Sequence, residues 1–329
     1  VFSNCRLEIV PRTLSKVSEK SAPVRTALVV LSSTLIGGSL ATDRLGAATI
    51  HGSLNCANAS SCPACAQIAS AAKADSAQSA ELEAFLGQVE FLSGRMEQAA
   101  RAFRAAETGG DLRERDRFTL AMALIRNGDV PGARTELETL NRAQPSTPLY
   151  IYWLGRLDYG QRLYDDAIRR FSHVIELDHG SYRAYDNLGL AFDMQGKNQQ
   201  AQAAFENAVA LNRKDARPSA WPPHNLGYLL FRLQKWGEAE KALRESLQYN
   251  PDLAVTHYHL GRVLEAEGRD AEAASEYRSS IALDPLSAEP CYSLGRLYRR
   301  TGRAAEAEQA FEEYRARKAK SPPESSSGP

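Results

Sequence analysis

One spacing recurs along this chain and limits what it can fold into. A Leu-Gly pair is followed, twelve residues after the Gly, by Ala, and four residues later by an aromatic residue or Leu. The set reads Leu86-Gly87, Ala99, Phe103; Leu154-Gly155, Ala167, Phe171; Leu188-Gly189, Ala201, Phe205; Leu226-Gly227, Ala239, Leu243; Leu260-Gly261, Ala273, Tyr277; and Leu294-Gly295, Ala307, Phe311. A variant, Leu120-Ala121, Ala133, Leu137, fills the gap after the first. The Gly or Ala positions lie 34, 34, 34, 38, 34 and 34 residues apart, the 38 arising from four extra residues near Ala216–Ser219. A fixed period of this length marks a repeat architecture, in which each unit buries its apolar face on its neighbours.

The repeated residue types describe a pair of helices. Gly or Ala after Leu lets a second helix approach closely, and the small Ala on that helix does the same from the other side. The aromatic residue one turn further on covers the seam. Gly128, Gly196, Gly268 and Gly302, each seven residues after the Leu-Gly site, supply a turn at which positive φ is cheap. Pro145, Pro251 and Pro285 close the period, where proline stops a helix. With 43% apolar residues in 329, the chain has enough for a continuous core. Forty basic side chains balance forty acidic ones, which argues against a dedicated nucleic-acid binder.

These residues closely resemble the tetratricopeptide repeat family. The resemblance implies an all-α, right-handed α-solenoid of about seven helix-turn-helix units, at 80–113, 114–147, 148–181, 182–215, 220–253, 254–287 and 288–321. A largely disordered leader, 1–79, precedes the array, and a Pro/Ser/Gly-rich tail, 322–329, follows it. Departures from the pattern are Ala121 in place of Gly, and Asn212-Arg213 where the fourth unit would end in Pro. The family's arrays usually end in a separate polar helix. Here the second helix of the last unit runs on as EEYRARKAK.

The resemblance also implies a concave groove lined by each unit's first helix, with positions two, five, six, nine and twelve facing it. Read in that register, Tyr152, Tyr258 and Tyr292 take the fifth position, and Arg156, Arg262 and Arg296 the ninth, of the third, sixth and seventh units. Tyr and Arg at i, i+4 share one helix face, and both residue types are enriched at interaction hot spots. Asn187 and Asn225 occupy the sixth position of consecutive units, where an amide can hold a peptide backbone. Trp221, His224, Tyr228, Phe231, His259 and Arg299 extend the strip. The reading is a groove for an extended or helical acidic peptide. The carboxylate clamp of family members that bind chaperone tails is not expected, because the early groove holds Ala84, Gln88, Phe118 and Met122. With Phe85, Phe91 and Ile125, that early stretch is apolar, suited to the leader or to an apolar partner.

The leader carries its own signals. Residues 27–41, ALVVLSSTLIGGSLA, follow Arg25, hold no charge and end in small residues. Fifteen residues are fewer than the ~20 that span a bilayer, so a secretory signal is the first reading and an uncleaved membrane anchor the second. No Met precedes Met96, and a start at Val24 would place the basic residue directly ahead of the apolar run. The expected setting is a bacterial protein that is exported (periplasmic or secreted) or membrane-anchored, and otherwise cytoplasmic. Cys56, Cys62 and Cys65 are candidates for a disulfide in an exported chain, with metal or redox use as lesser readings.

No catalytic residues, metal site or cofactor are expected, since no phosphate loop, dinucleotide fingerprint, nucleophile elbow or zinc-protease His pair occurs. The expected function is a non-catalytic scaffold for a protein or peptide partner. Two alternatives are an oligomeric assembly subunit using the array's end, and an exported redox or metal accessory using the leader cysteines.

Overall fold

The computed structural model describes residues 76–320, and these form fourteen α-helices with no strand among them. They are α1 (Ser76–Leu92), α2 (Met96–Thr108), α3 (Glu114–Arg126), α4 (Val130–Ala143), α5 (Pro148–Gly160), α6 (Tyr164–Leu177), α7 (Tyr182–Met194), α8 (Asn198–Asn212), α9 (Trp221–Arg232), α10 (Trp236–Tyr249), α11 (Ala254–Ala266), α12 (Asp270–Leu283), α13 (Glu289–Arg300) and α14 (Ala304–Lys320). The segment 27–41, the leader cysteines Cys56, Cys62 and Cys65, and the tail 322–329 lie outside the described residues. Among the described residues no helix is long and apolar enough to cross a membrane.

The helices group into two compact units, one ending at Ala133 and the other beginning at Arg134. In the first, α1, α2 and α3 pack on one another. In the second, each helix from α5 to α14 packs on the next, and the odd-numbered ones also touch in series, α5 on α7, α7 on α9, α9 on α11 and α11 on α13. A single buried cluster runs from Ala201 and Phe205 on α8, through Leu229, Leu243, Leu260 and Tyr277, to Leu297 and Ala307.

Each hairpin closes on one contact. A Cβ added at Gly87, Gly155, Gly189, Gly261 or Gly295 would come within 2.6–2.9 Å of the ring of Phe103, Phe171, Phe205, Tyr277 or Phe311 respectively. At Gly227 the obstacle is the Leu243 side chain at 2.7 Å. The glycine is therefore a packing requirement of the close helix crossing. The alanines Ala99, Ala133, Ala167, Ala201, Ala239 and Ala273 are fully buried, and Ala307 nearly so.

The turn inside each hairpin needs a left-handed residue. Gly94, Gly128, Gly196, Gly268 and Gly302 sit at φ between 71° and 80°. The third and fifth hairpins put Arg162 (φ 62°) and Gln234 (φ 60°) there instead. An L side chain in this region costs about 1 kcal/mol, and glycine returns part of that gain as unfolded-state entropy. Gln234→Gly is expected to raise stability by about 0.5–1 kcal/mol, and Gly268→Ala to lower it by a similar amount. Urea unfolding of both variants checks the pair. An unchanged midpoint for both would remove the conformational explanation.

Two departures in the repeat pattern find their physical reason. The four extra residues after α8 are held by Asn212, which is fully buried. Its Nδ2 donates to the Ser219 carbonyl and its Oδ1 accepts from the Ser219 amide, both at 2.8 Å. The side-chain amide thus ties the two ends of the inserted turn together. At the chain's end, α14 covers the last hairpin with Ala307 and Ala310 and turns Glu306, Glu308, Glu312, Arg315 and Lys318 to solvent. Arg317 reaches back to the carbonyls of Asp284 and Ser287 at 3.4 and 3.3 Å.

Candidate partner-binding face

The odd-numbered helices of the second unit carry a row of side chains joined from helix to helix. From α5 to α7, Asn187 Nδ2 donates to the Tyr152 hydroxyl at 3.1 Å. From α7 to α9, Asn225 Nδ2 donates to Asp186 Oδ1 at 3.0 Å, and Arg232 pairs with Asp193. From α9 to α11, the Tyr228 and His259 rings stack at 4.4 Å, and the Arg262 guanidinium lies 4.6 Å over Phe231. From α11 to α13, Glu265 faces Arg296 at 3.6 Å and Arg300 at 3.7 Å. The predicted residues Tyr152, Asn187, Asn225, Tyr228, Tyr258, Arg262 and Arg296 therefore share one contiguous surface. Tyr292 is exposed and rests against Phe311 and Tyr314, with Arg299 5.4 Å over the Phe311 ring.

His224 is placed differently from its sequence expectation. It is 5% exposed and belongs to the floor, not the surface. Its Nδ1 meets the Thr256 hydroxyl at 2.8 Å, Thr256 meets Ser246 at 3.3 Å, and Ser246 donates to the Ala220 carbonyl at 2.8 Å. A carbonyl only accepts, so the chain runs one way: Thr256 donates to Ser246, and His224 donates from Nδ1 to Thr256. Burial pushes the His224 pKa down to about 4, so the ring is neutral at pH 7. His259, 5.1 Å away, is lowered to about 3 by burial first, and then by His224 and Arg262. The ordinary imidazole would be half-charged near pH 6.5.

The same register also carries carboxylates, whose roles depend on neighbouring units. Asp186 stands at position five and is 8% exposed; burial raises its pKa to about 6, opposed by the Asn225 hydrogen bond. Asp193 and Glu265 stand at position twelve. Glu265 also accepts from the buried Tyr277 hydroxyl at 2.7 Å. These acids change the status of the arginines. Arg296 and Arg232 are matched by carboxylates on the face itself. Arg156, Arg183, Arg262 and Arg299 are not: among the described residues they rest on the rings of Trp153 (5.1 Å), Tyr182 (5.2 Å), Phe231 and Phe311, with no ion pair. Burial raises the pKa of the Tyr152 hydroxyl, opposed by the nearby Arg156 charge. A guanidinium stacked on a ring keeps its in-plane N–H groups available for a carboxylate.

In the first unit, Gln88 donates to the buried Asp116, and Arg126 lies 4.9 Å over Phe91. Phe85 is 44% exposed there. Among the described residues no three His, Cys, Asp or Glu side chains gather as metal ligands, and Cys291 is buried with its thiol pKa raised by burial.

Two family models, each described as tetratricopeptide repeat, match residues 118–172 and 224–288, and residues 182–215 and 288–314; together they cover more than half of the chain. No curated protein matches it. Solved structures with a similar fold include PilW, described as a widely conserved type IV pilus biogenesis factor (19% identity, TM-score 0.57, 64% of this chain and 96% of that one). Pseudomonas aeruginosa pilF follows at 15% identity and TM-score 0.54, over 63% of this chain and 97% of that one. The Cut9–Hcn1 hetero-tetramer of the APC/C matches at 20% identity and TM-score 0.58, over 66% of this chain and 42% of that one. At these identities the likeness is one of fold.

Proposed function

The chain belongs to the tetratricopeptide repeat family, an all-α solenoid family, and we propose that it is a non-catalytic scaffold that holds an acidic segment of a protein partner on the face of α5, α7, α9, α11 and α13. The observation that carries this reading is the set of arginines Arg156, Arg183, Arg262 and Arg299, stacked on aromatic rings without a carboxylate among the described residues. Such groups are pre-positioned, so a partner carboxylate gains a forked hydrogen bond at little ordering cost. The carboxylates Asp193 and Glu265 lie on the same face but are already neutralised, which leaves the excess positive. The apolar run 27–41 supports an exported or membrane-anchored setting for the scaffold.

Selection from a random peptide display library, with the full chain as bait, tests the reading. The expected winners are rich in Asp and Glu. Their affinity should fall about tenfold or more in Arg156→Ala/Arg262→Ala/Arg299→Ala, and steadily with added salt. The variant must keep the wild-type Tm, as surface stacking residues allow. Winners without acidic residues, or binding that ignores the triple substitution, would sink the proposal.

A further inference from the structure

We propose that the partner segment docks as an amphipathic α-helix with one acidic and one apolar side, lying across the odd-numbered helices; this rests on the binding reading above and narrows it. Residues seven apart on a helix return to the same face, about 10 Å apart along the axis. On α5 such a pair is Leu149 and Arg156, and on α11 it is Val255 and Arg262. Leu149 and Val255 are 43% and 36% exposed, as is Trp221 at 51% in the same row on α9. The face therefore has an apolar row at the N-terminal ends of these helices. A row holding the uncommitted Arg156 and Arg262 lies about two turns further along. Between them the floor is aromatic and amide: Tyr152, Asn187, His224, Asn225 and Tyr258.

The separation of the rows decides the occupant. About 10 Å is the diameter of an α-helix with its side chains. A helix laid between the rows would set its acidic stripe against the arginines and its apolar stripe against Leu149, Trp221 and Val255. An extended strand would present alternate residues towards and away from the floor, and could not keep one edge apolar and the other acidic along its length. Neighbouring helices pack 8–10 Å apart, so the path from α5 to α11 is roughly 30 Å, or about 20 residues of partner helix.

Two helices depart from the pattern: α9 puts Tyr228 in the arginine row below Trp221, and α7 departs with a consequence. On α7 the two positions hold Arg183 and Leu190, so polarity is reversed. The partner helix then needs one acidic residue within its apolar stripe, opposite Arg183. A single such inversion fixes register, as a lone polar residue does in a coiled-coil seam.

The selection described above, from a library of about 20-residue random peptides, is read here for periodicity. Circular dichroism of a winning peptide is recorded with and without the full chain. The expected winners carry acids and apolar residues on opposite sides at a 3.6-residue period and gain helicity on binding. They should lose about tenfold in affinity with Arg156→Ala/Arg262→Ala, and separately with Leu149→Ser/Val255→Ser. Acidic winners that stay extended, or that ignore the Leu149→Ser/Val255→Ser pair, overturn the helical docking and leave the acidic-segment reading standing. Winners that ignore the arginines, or no winners at all, overturn both.

Discussion

Gly189→Val is expected to cost 3 kcal/mol or more, a large share of the stability of an array held together by neighbour contacts. A Cβ at this position would sit 2.6 Å from the Phe205 ring, the tightest of the glycine–ring approaches. Phe205 is 1% exposed and belongs to the cluster that continues through α9, α11 and α13, so it has nowhere to rotate. Gly189→Ala should cost about 2 kcal/mol, because one methyl still forces the crossing of α7 and α8 apart. The mechanism is tested by a double-mutant cycle. In a Phe205→Ala background, which is itself about 3–5 kcal/mol less stable, the ring is gone and Gly189→Ala should be nearly neutral. Equal costs for Gly189→Ala in both backgrounds would show that backbone freedom, not the ring, is what the glycine provides.

That contact explains why the fold could be read from the sequence. Gly189 and Phe205 are sixteen residues apart, within one hairpin, so the pattern that encodes the packing is local and repeats with each unit. The face was less legible because its chemistry is set between units. His224 lies in the groove register, yet the Thr256–Ser246–Ala220 chain that holds it down comes from α10, α11 and the residue before α9. The pairing of Glu265 with Arg296 likewise requires α11 and α13 to lie side by side, and without it Arg296 looks as free as Arg262. Asp186, Asp193 and Glu265 are legible in the same register, at its fifth and twelfth positions. The turn residues Arg162 and Gln234 were also within reach, as the two hairpins lacking glycine seven residues after the Leu-Gly site.

Asp186→Asn is expected to stabilise the protein at pH 7 by about 2–3 kcal/mol, with the gain vanishing as pH falls to 4. The direction follows from the raised carboxyl pKa, about 6 in the folded chain against 3.8 ordinarily. Above pH 6 the folded state must hold a buried carboxylate that the unfolded chain keeps in water. Between pH 6 and 3.8 the folded state takes up the proton first, so acidification favours it. The amide can keep an acceptor for Asn225 Nδ2 without the charge. His224 works against this. Its folded pKa of about 4 lies below the ordinary 6.5, so the unfolded chain takes up the proton first and stability falls between those values, by about 3 kcal/mol. His259, at about 3, pulls the same way over the same window and continues further into acid. His257 contributes on the alkaline side. Its pKa is raised by the Glu276 hydrogen bond, and its support is complete below pH 6.5 and lost as pH climbs. In wild type the Asp186 gain therefore offsets only part of the histidine loss between pH 6.5 and 4, and Asp186→Asn should uncover all of it. Urea unfolding at pH 7, 5.5 and 4 measures it. Parallel pH profiles for wild type and Asp186→Asn would mean that the Asp186 carboxyl is hydrated in the folded chain and titrates as it does unfolded.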